Sequence, residues 1–285
     1  MTASTLSPGR WIWLNGRFVP EDRPAIHPLD RGFLYGDGLF ETLRAEEGRP
    51  LYLAPHLDRL KRGAGELRLN LPRDLRWDET IARLLQVNGL CEGAARVKII
   101  VTRGQEPPLG LPPARRPTLL LSAERYQPPS ARDYLEGWRL HCGLNAYSPP
   151  LARYKSLNYL IYLCARQAAL DAGCHEAVVL DPGGWVSETA AGSLLCRSAG
   201  SWWTPESPHQ LAGITLQQVR RLLGRQGAIV ETLAARLADL RNADTVWVLN
   251  ALIGVMPAVR IDGQIIPDPL HDAADRIRGL LVAGN

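Results

Sequence analysis

The sequence predicts a mixed α/β (α+β) protein of two domains, on three observations. Strand-like runs closed by tight-turn signals alternate with runs whose apolar residues recur at helical spacing. The 285 residues suffice for two domains with substantial cores. Gln127-Pro-Pro-Ser-Ala-Arg132 is a short, polar, proline-paired stretch of the kind that joins domains. The expected division is a first domain over 1–126, a linker over 127–135 and a second domain over 136–285.

Trp11 to Val19 is expected to be a β-hairpin, because Asn15-Gly16 is a strong signal for a two-residue turn. A loop follows, and Leu39 to Ala45 runs into a strand. Leu57, Leu60, Ala64 and Leu67 mark one helix, with Arg59 on its other side; Trp77 to Asn88 marks the next, stopped by Gly89. Arg96–Thr102 and Thr118–Glu124 are strands flanking the proline-rich loop 105–113. The second half opens with a strand from Trp138 to Leu144. A helix follows whose apolar positions are Leu157, Leu160, Ile161, Cys164 and Ala168. Strands then cover Glu176–Leu180 and Trp185–Thr189, and a hairpin covers Leu194–Trp203. A helix with Leu216, Val219, Leu222 and Leu223 inward comes next. A strand over Thr245–Leu249, a hairpin turning at Asp262-Gly263 and a helix over 270–282 complete the chain.

The formal charge of +4 is dispersed, so no nucleic-acid stripe is expected. No apolar stretch reaches the length of a membrane span. Met1 to Arg10 lacks a basic segment leading into an apolar one, so no signal peptide is expected. The five cysteines are odd in number and without a CxxC, which points to reduced, buried thiols and a cytoplasmic location. The six histidines show no metal-ligand spacing, and no metal is expected.

Lysine is scarce: Lys61, Lys98 and Lys155 are the only three. Arginine cannot lose its proton in a protein, so carbonyl chemistry through a neutral amine must use one of them. Lys61 lies in a charged helical run and is expected to be solvated. Lys98 lies in a strand and fits a half-buried structural charge. Lys155 stands just ahead of, or in the first turn of, a buried helix, where partial desolvation would make its amine nucleophilic. A lysine snorkelling from a helix start is the alternative.

Other residues fit a site for an anionic aromatic cofactor. Gly213-Ile214-Thr215 opens a helix and offers backbone N–H groups and a hydroxyl to a phosphate. Glu188, on the inner face of a strand, could pair with a pyridinium nitrogen. Arg59 could clamp a phosphate. Asn250-Ala251, at a strand end, could add donors. Tyr159, one helical turn after Lys155, would face the same side. Each also has an ordinary structural reading: helix cap, surface charge, turn residue or core tyrosine.

The order of these pieces resembles the class IV pyridoxal-phosphate enzymes, the group of D-amino-acid and branched-chain aminotransferases and aminodeoxychorismate lyase. The carriers are Asp30-Arg-Gly-Phe-Leu-Tyr-Gly-Asp-Gly-Leu-Phe-Glu41, His56-Leu-Asp-Arg-Leu60, Lys155-Ser-Leu-Asn-Tyr159, Val186-Ser-Glu188, Gly213-Ile-Thr215 and Asn250-Ala-Leu-Ile-Gly-Val-Met-Pro-Ala-Val259. The resemblance implies fold type IV, with a small α/β N-terminal domain and a larger C-terminal pseudobarrel, assembled as a homodimer. It implies pyridoxal 5′-phosphate held covalently by Lys155, with Glu188 at the ring nitrogen and Tyr159 at the ring hydroxyl. Arg59, Ile214, Thr215 and the Asn250-Ala251 backbone would hold the phosphate. Tyr35, Phe40 and Thr42 would line the substrate side together with the loop 103–111.

Within that group the 250–259 segment looks most like aminodeoxychorismate lyase, with an aminotransferase acting on D- or branched-chain amino acids or an amine as the alternative. Two features depart from the pattern. Thr102-Arg-Gly104 is followed by Gln-Glu-Pro-Pro-Leu-Gly-Leu111, without the usual carboxylate-reading arginine of that loop. Ser193 stands where the group usually has Asn. Arg103, Arg153 or Arg44 is therefore the expected reader of the substrate carboxylate.

Overall fold

The structure, a computed structural model, describes residues 10–105, 109–143 and 148–284. The N-terminal stretch read for a leader, the middle of the 105–113 loop and the end of the strand expected through Leu144 lie outside these residues. The chain divides into two compact units, Met1–Gln127 with Lys155–Leu157, and Pro128–Tyr154 with Asn158–Asn285.

In the first unit, β1 (Trp11–Leu14) and β2 (Arg17–Pro20) form the expected hairpin. Asn15 and Gly16 take φ of 47° and 95°, as its two-residue turn requires. Next come α1 (Arg31–Tyr35), β3 (Gly38–Glu46), β4 (Arg49–Pro50), α2 (Leu53–Glu66), α3 (Trp77–Val87), β5 (Ala94–Thr102) and β6 (Thr118–Arg125). The short α1 falls where the sequence suggested a loop. The Asp30 side chain caps it by accepting from the Gly32 N–H, and Gly36 ends it.

The six strands form an antiparallel sheet in the order β2-β1-β6-β5-β3-β4. Strand alternation gives it two faces. Leu39, Leu43, Val97, Ile99, Val101, Leu119 and Leu121 are buried on the face under α2 and α3. Each such side chain withdrawn from water contributes about 2 kcal/mol. On the other face the register aligns Phe40 with Ile100, Thr42 with Lys98 and Ser122, and Arg44 with Arg96 and Glu124.

The second unit begins with α4 (Ala131–Glu136), started by a Ser130–Asp133 capping box inside the stretch read as linker. There follow β7 (Trp138–His141), α5 (Leu160–Asp171), β8 (Glu176–Leu180), β9 (Val186–Thr189), β10 (Ser193–Ser198), β11 (Ser201–Pro205) and α6 (Ile214–Arg225). The chain ends with β12 (Val230–Leu233), α7 (Leu237–Arg241), β13 (Thr245–Asn250), β14 (Gly254–Ile261), β15 (Gln264–Ile265) and α8 (His271–Ala283). The sheet runs β12-β11-β10-β13-β14-β7-β8-β9, with β15 beside β14, and curls into a half-barrel. Its core holds Leu140, Val178, Val186, Leu194, Val246, Val248, Met256 and Ile261.

Two expectations about burial are corrected. α5 turns Tyr162, Ala165 and Ala169 inward and leaves Leu160 and Leu163 71% and 56% exposed, with Cys164 also outward. Small alanines let the helix approach Ala177 and Val179 of β8 closely, and that fit overrides the leucine periodicity. Among the cysteines only Cys196 is buried; Cys91 and Cys164 are exposed.

Candidate active site

In the first unit the candidate site is built on the start of β3. Lys155 to Leu157 lies alongside it: the Phe40 N–H donates to the Lys155 carbonyl at 2.8 Å, and the Leu157 N–H donates to the Gly38 carbonyl at 3.0 Å. Lys155 is therefore extended and belongs to no helix, which removes the premise that Tyr159 follows it by one helical turn. Its Nζ sits 4.5 Å from the centroid of the buried Phe40 ring, a largely apolar seat for an amine. Thr42 is half-buried one rung along the same face, and Tyr35 is 54% exposed in α1 with the Arg31 guanidinium 5.3 Å from its ring.

Glu41 points to the opposite face, into a buried ion cluster. Arg59 donates Nε–H and Nη2–H to its two oxygens at 2.8 and 2.7 Å, and His56 Nδ1 lies 2.7 Å from the second. Burial pushes the Glu41 carboxyl up, but the hydrogen bonds from Arg59 and His56 outweigh it and hold the group at about 2. Burial lowers the His56 pKa, with Glu41 opposing, and the charges of Arg59 and Lys155 lower it further. The Nε–Nη2 fork of Arg59, expected from the sequence to clamp a phosphate, grips Glu41. The partnership of Glu41 and His56 was missed, although both stand in the quoted motifs.

Arg103 is not a substrate reader. It is fully buried, its Nε and Nη2 engage both oxygens of Asp37, and its remaining donors meet the carbonyls of Leu67, Arg68 and Pro112. It bolts the loop after β5 to the end of α2. Arg44 pairs with Glu46, and Arg153 lies over the Tyr154 ring.

In the second unit Glu188 is buried, with the Tyr162 hydroxyl donating to one oxygen at 2.8 Å and the Leu211 N–H to the other at 3.2 Å. A register shift between β8 and β9 puts Val186 opposite Leu180 but Glu188 opposite Val179, on the α5 side. The irregularity re-aims the carboxylate away from the core that takes Val186. Burial raises the pKa values of Tyr159 and Tyr162 and the charge of Glu188 adds to it, so both phenols remain donors. The Tyr159 hydroxyl donates to the Ala190 carbonyl at 2.8 Å.

Ile214 and Thr215 are buried in the first turn of α6, whose cap Gly213 supplies no side-chain bond. A Cβ on Gly213 would stand 2.2 Å from Ser193 Oγ, so only glycine brings the backbone this close to Ser193. Asn250 closes its own turn: Oδ1 accepts from the Leu252 and Ile253 N–H groups, and Nδ2 donates to the Ala191 carbonyl. Ala251 sits half-buried within that turn. Among the described residues no cluster of acids, histidines and cysteines could hold a metal, and no helix is long and apolar enough to cross a membrane.

The sequence model of the amino-transferase class IV family matches residues 38–261. The chain belongs to the class IV aminotransferase family. Its relatives include a Methanocaldococcus jannaschii protein provisionally named a branched-chain-amino-acid aminotransferase, 32% identical over 262 residues, 90% of this chain and 89% of that one. Bacillus subtilis aminodeoxychorismate lyase is 28% identical over 254 residues, 88% and 86% of the two chains. A branched-chain amino acid aminotransferase from T.th., crystallised with pyridoxamine 5′-phosphate, matches at a TM-score of 0.84 and 26% identity, covering 96% of this chain and 93% of that one. This class IV chain therefore has the expected fold type IV.

Pyridoxal 5′-phosphate is the cofactor of the family, and the chemistry of the donor set fits it. An aldehyde calls for an amine on an apolar seat, which Lys155 on Phe40 provides. A ring nitrogen calls for a buried carboxylate held in one orientation, which Glu188 provides. A phosphate calls for a helix N-terminus that no side chain caps, which α6 provides.

Proposed function

We propose that the chain is a pyridoxal 5′-phosphate-dependent lyase that releases pyruvate from 4-amino-4-deoxychorismate and leaves 4-aminobenzoate, a folate precursor. The bound cofactor would supply an electron sink for the carbon that loses its proton. Lys155 would hold the cofactor and, once displaced by the substrate amine, take the proton from the carbon bearing nitrogen. Enolpyruvate leaves from the neighbouring carbon, the ring becomes aromatic, and the enolpyruvate takes up a proton to become pyruvate. Glu188 would keep the ring nitrogen protonated, its position fixed by Tyr162 and Leu211. Ile214 and Thr215 at the start of α6, Arg59 and the Asn250-Ala251 backbone would serve the phosphate, while Tyr35, Phe40 and Thr42 would bound the substrate.

The observation that carries the lyase reading is the 250–254 turn. Its Asn side chain is engaged by the Leu252 and Ile253 N–H groups of the turn and by the Ala191 carbonyl, and Ala251, Leu252 and Ile253 bring no hydroxyl. Such a turn suits an elimination that needs no second substrate. The 32% identity to the M. jannaschii protein favours the second reading, an aminotransferase passing the amino group of a branched-chain or D-amino acid, or of an amine, to a 2-oxo acid. The protein is incubated with 4-amino-4-deoxychorismate, and separately with amino acids plus 2-oxoglutarate. Release of 4-aminobenzoate and pyruvate supports the lyase; glutamate formation without it overturns that reading. Loss of the cofactor's visible band in Lys155→Ala tests the tether. A homodimer in the cytoplasm is the expected working form, and the apolar face of α1, with Phe33 79% exposed, supports self-association; sedimentation tests it.

A further inference from the structure

One pair of serines reaches both of the donors described above for Glu188. The Ser148 and Ser187 hydroxyls meet at 2.9 Å, and the Ser187 hydroxyl donates to the His209 carbonyl at 2.9 Å. Ser148 also hydrogen-bonds the Tyr162 phenol, which donates to one oxygen of Glu188. His209 lies two residues before Leu211, whose N–H donates to the other oxygen. The bonds thus close a ring that runs from Glu188 through Tyr162, Ser148, Ser187, the His209 carbonyl and Leu211 back to Glu188. Ser148 and Ser187 are 0% and 1% exposed, so bulk water does not stand in for either hydroxyl. The His209 imidazole does not anchor the loop, since its Nδ1 is buried without a partner among the described residues. The His209 backbone does: its N–H donates to Ser207 Oγ at 3.1 Å, and its carbonyl accepts from Ser187.

A hydroxyl has one proton to give. An ionised Glu188 can only accept, so the Tyr162 proton points at it, and the Ser187 proton points at a carbonyl. The Ser148 proton then faces two acceptors, the Tyr162 and Ser187 oxygens, and serves one at a time. Each donation polarises the next hydroxyl and strengthens its bond. We propose that Ser148 and Ser187 are positioning residues: their hydroxyl pair couples the phenol arm to the loop arm and so holds the Glu188 carboxylate in the orientation that keeps the ring nitrogen protonated. The inference rests on Glu188 serving that nitrogen. Both serines act through Tyr162 and Leu211.

The test reads the cofactor of the holoenzyme and needs no turnover. Removing one hydroxyl loosens the hold of Glu188 on the ring nitrogen, and a less positive ring keeps the proton on the nitrogen that bonds Lys155 to the cofactor. In Ser187→Ala and in Ser148→Ala the pH midpoint of the visible band should therefore rise by about half a unit, and the cofactor should dissociate roughly fivefold more readily. Ser187→Thr keeps the hydroxyl and suits a strand, so it should bring both back toward wild type. Coupling through the phenol predicts that Ser148→Ala adds less to Tyr162→Phe than it costs alone. The inference is overturned if the alanine variants lose stability in urea while midpoint and affinity stay unchanged. It is also overturned if the Ser148 and Tyr162 effects simply add, or if a folded Ser187→Thr behaves like Ser187→Ala. Ser148→Ala decides the matter should Ser187→Ala fail to fold. A Glu188→Gln enzyme whose band titrates like the wild type would sink the placement of Glu188 at the ring nitrogen, and this inference with it.

Discussion

The two units each bury a glutamate, and they hold it in opposite ways. Glu41 is gripped by the Arg59 fork and by His56, and the hydrogen bonds pull its pKa to about 2 against the cost of burial. Glu188 takes hydrogen bonds from two neutral groups, the Tyr162 hydroxyl and the Leu211 N–H. Cationic partners neutralise a carboxylate and make it a structural clamp. Neutral donors fix a carboxylate's direction without adding a counter-charge. Burial alone would not tell the two apart; the chemistry of their partners does.

Neutralising each carboxylate in turn should separate their roles. Glu41→Gln leaves the mostly buried Arg59 without its counter-charge, and stability should fall by about 3–5 kcal/mol, read from urea unfolding. Glu188→Gln should keep the fold within about 1 kcal/mol of wild type, while kcat falls roughly 10³-fold, about 4 kcal/mol in barrier. An unstable Glu188→Gln with normal kcat would reverse the assignments. Acid should separate the clusters as well. Glu41 has a folded pKa below its usual 4.5, so its contribution is complete above about 4.5 and is lost as pH falls toward 2. That linkage is worth roughly 3 kcal/mol. The wild type should lose it across this window, and Glu41→Gln should show a flatter stability profile there.

Much of the fold was legible because local rules fix it. The Asn15-Gly16 and Asp262-Gly263 turns demand positive φ, and all four residues have it. α2, α3 and α8 follow their apolar periodicity. What failed to show was long-range. Arg103 looks like any loop arginine until its partners at 37, 67, 68 and 112 are brought around it. The α5 face was misread because side-chain size gives no hint of what β8 offers opposite it. Lys155 stood out through the scarcity of lysine, but nothing local tied Ser148 to Glu188. That link needs Tyr162, which meets both only once α5 packs on β8.

Tyr162→Phe removes one neutral donor from Glu188 and leaves the other, the Leu211 N–H, in place. Losing one hydrogen bond costs about 1 kcal/mol, so kcat should drop several-fold and the cofactor should dissociate more readily by a similar factor. The phenol has no ionised role to lose, since burial and the charge of Glu188 hold its pKa far above neutral. The phenylalanine ring still fills its place among Ala165, Ala169 and Val179, so the fold should be kept. If Tyr162→Phe costs as much activity as Glu188→Gln, the hydroxyl acts on the reaction itself and the division between pointing donor and acting carboxylate fails.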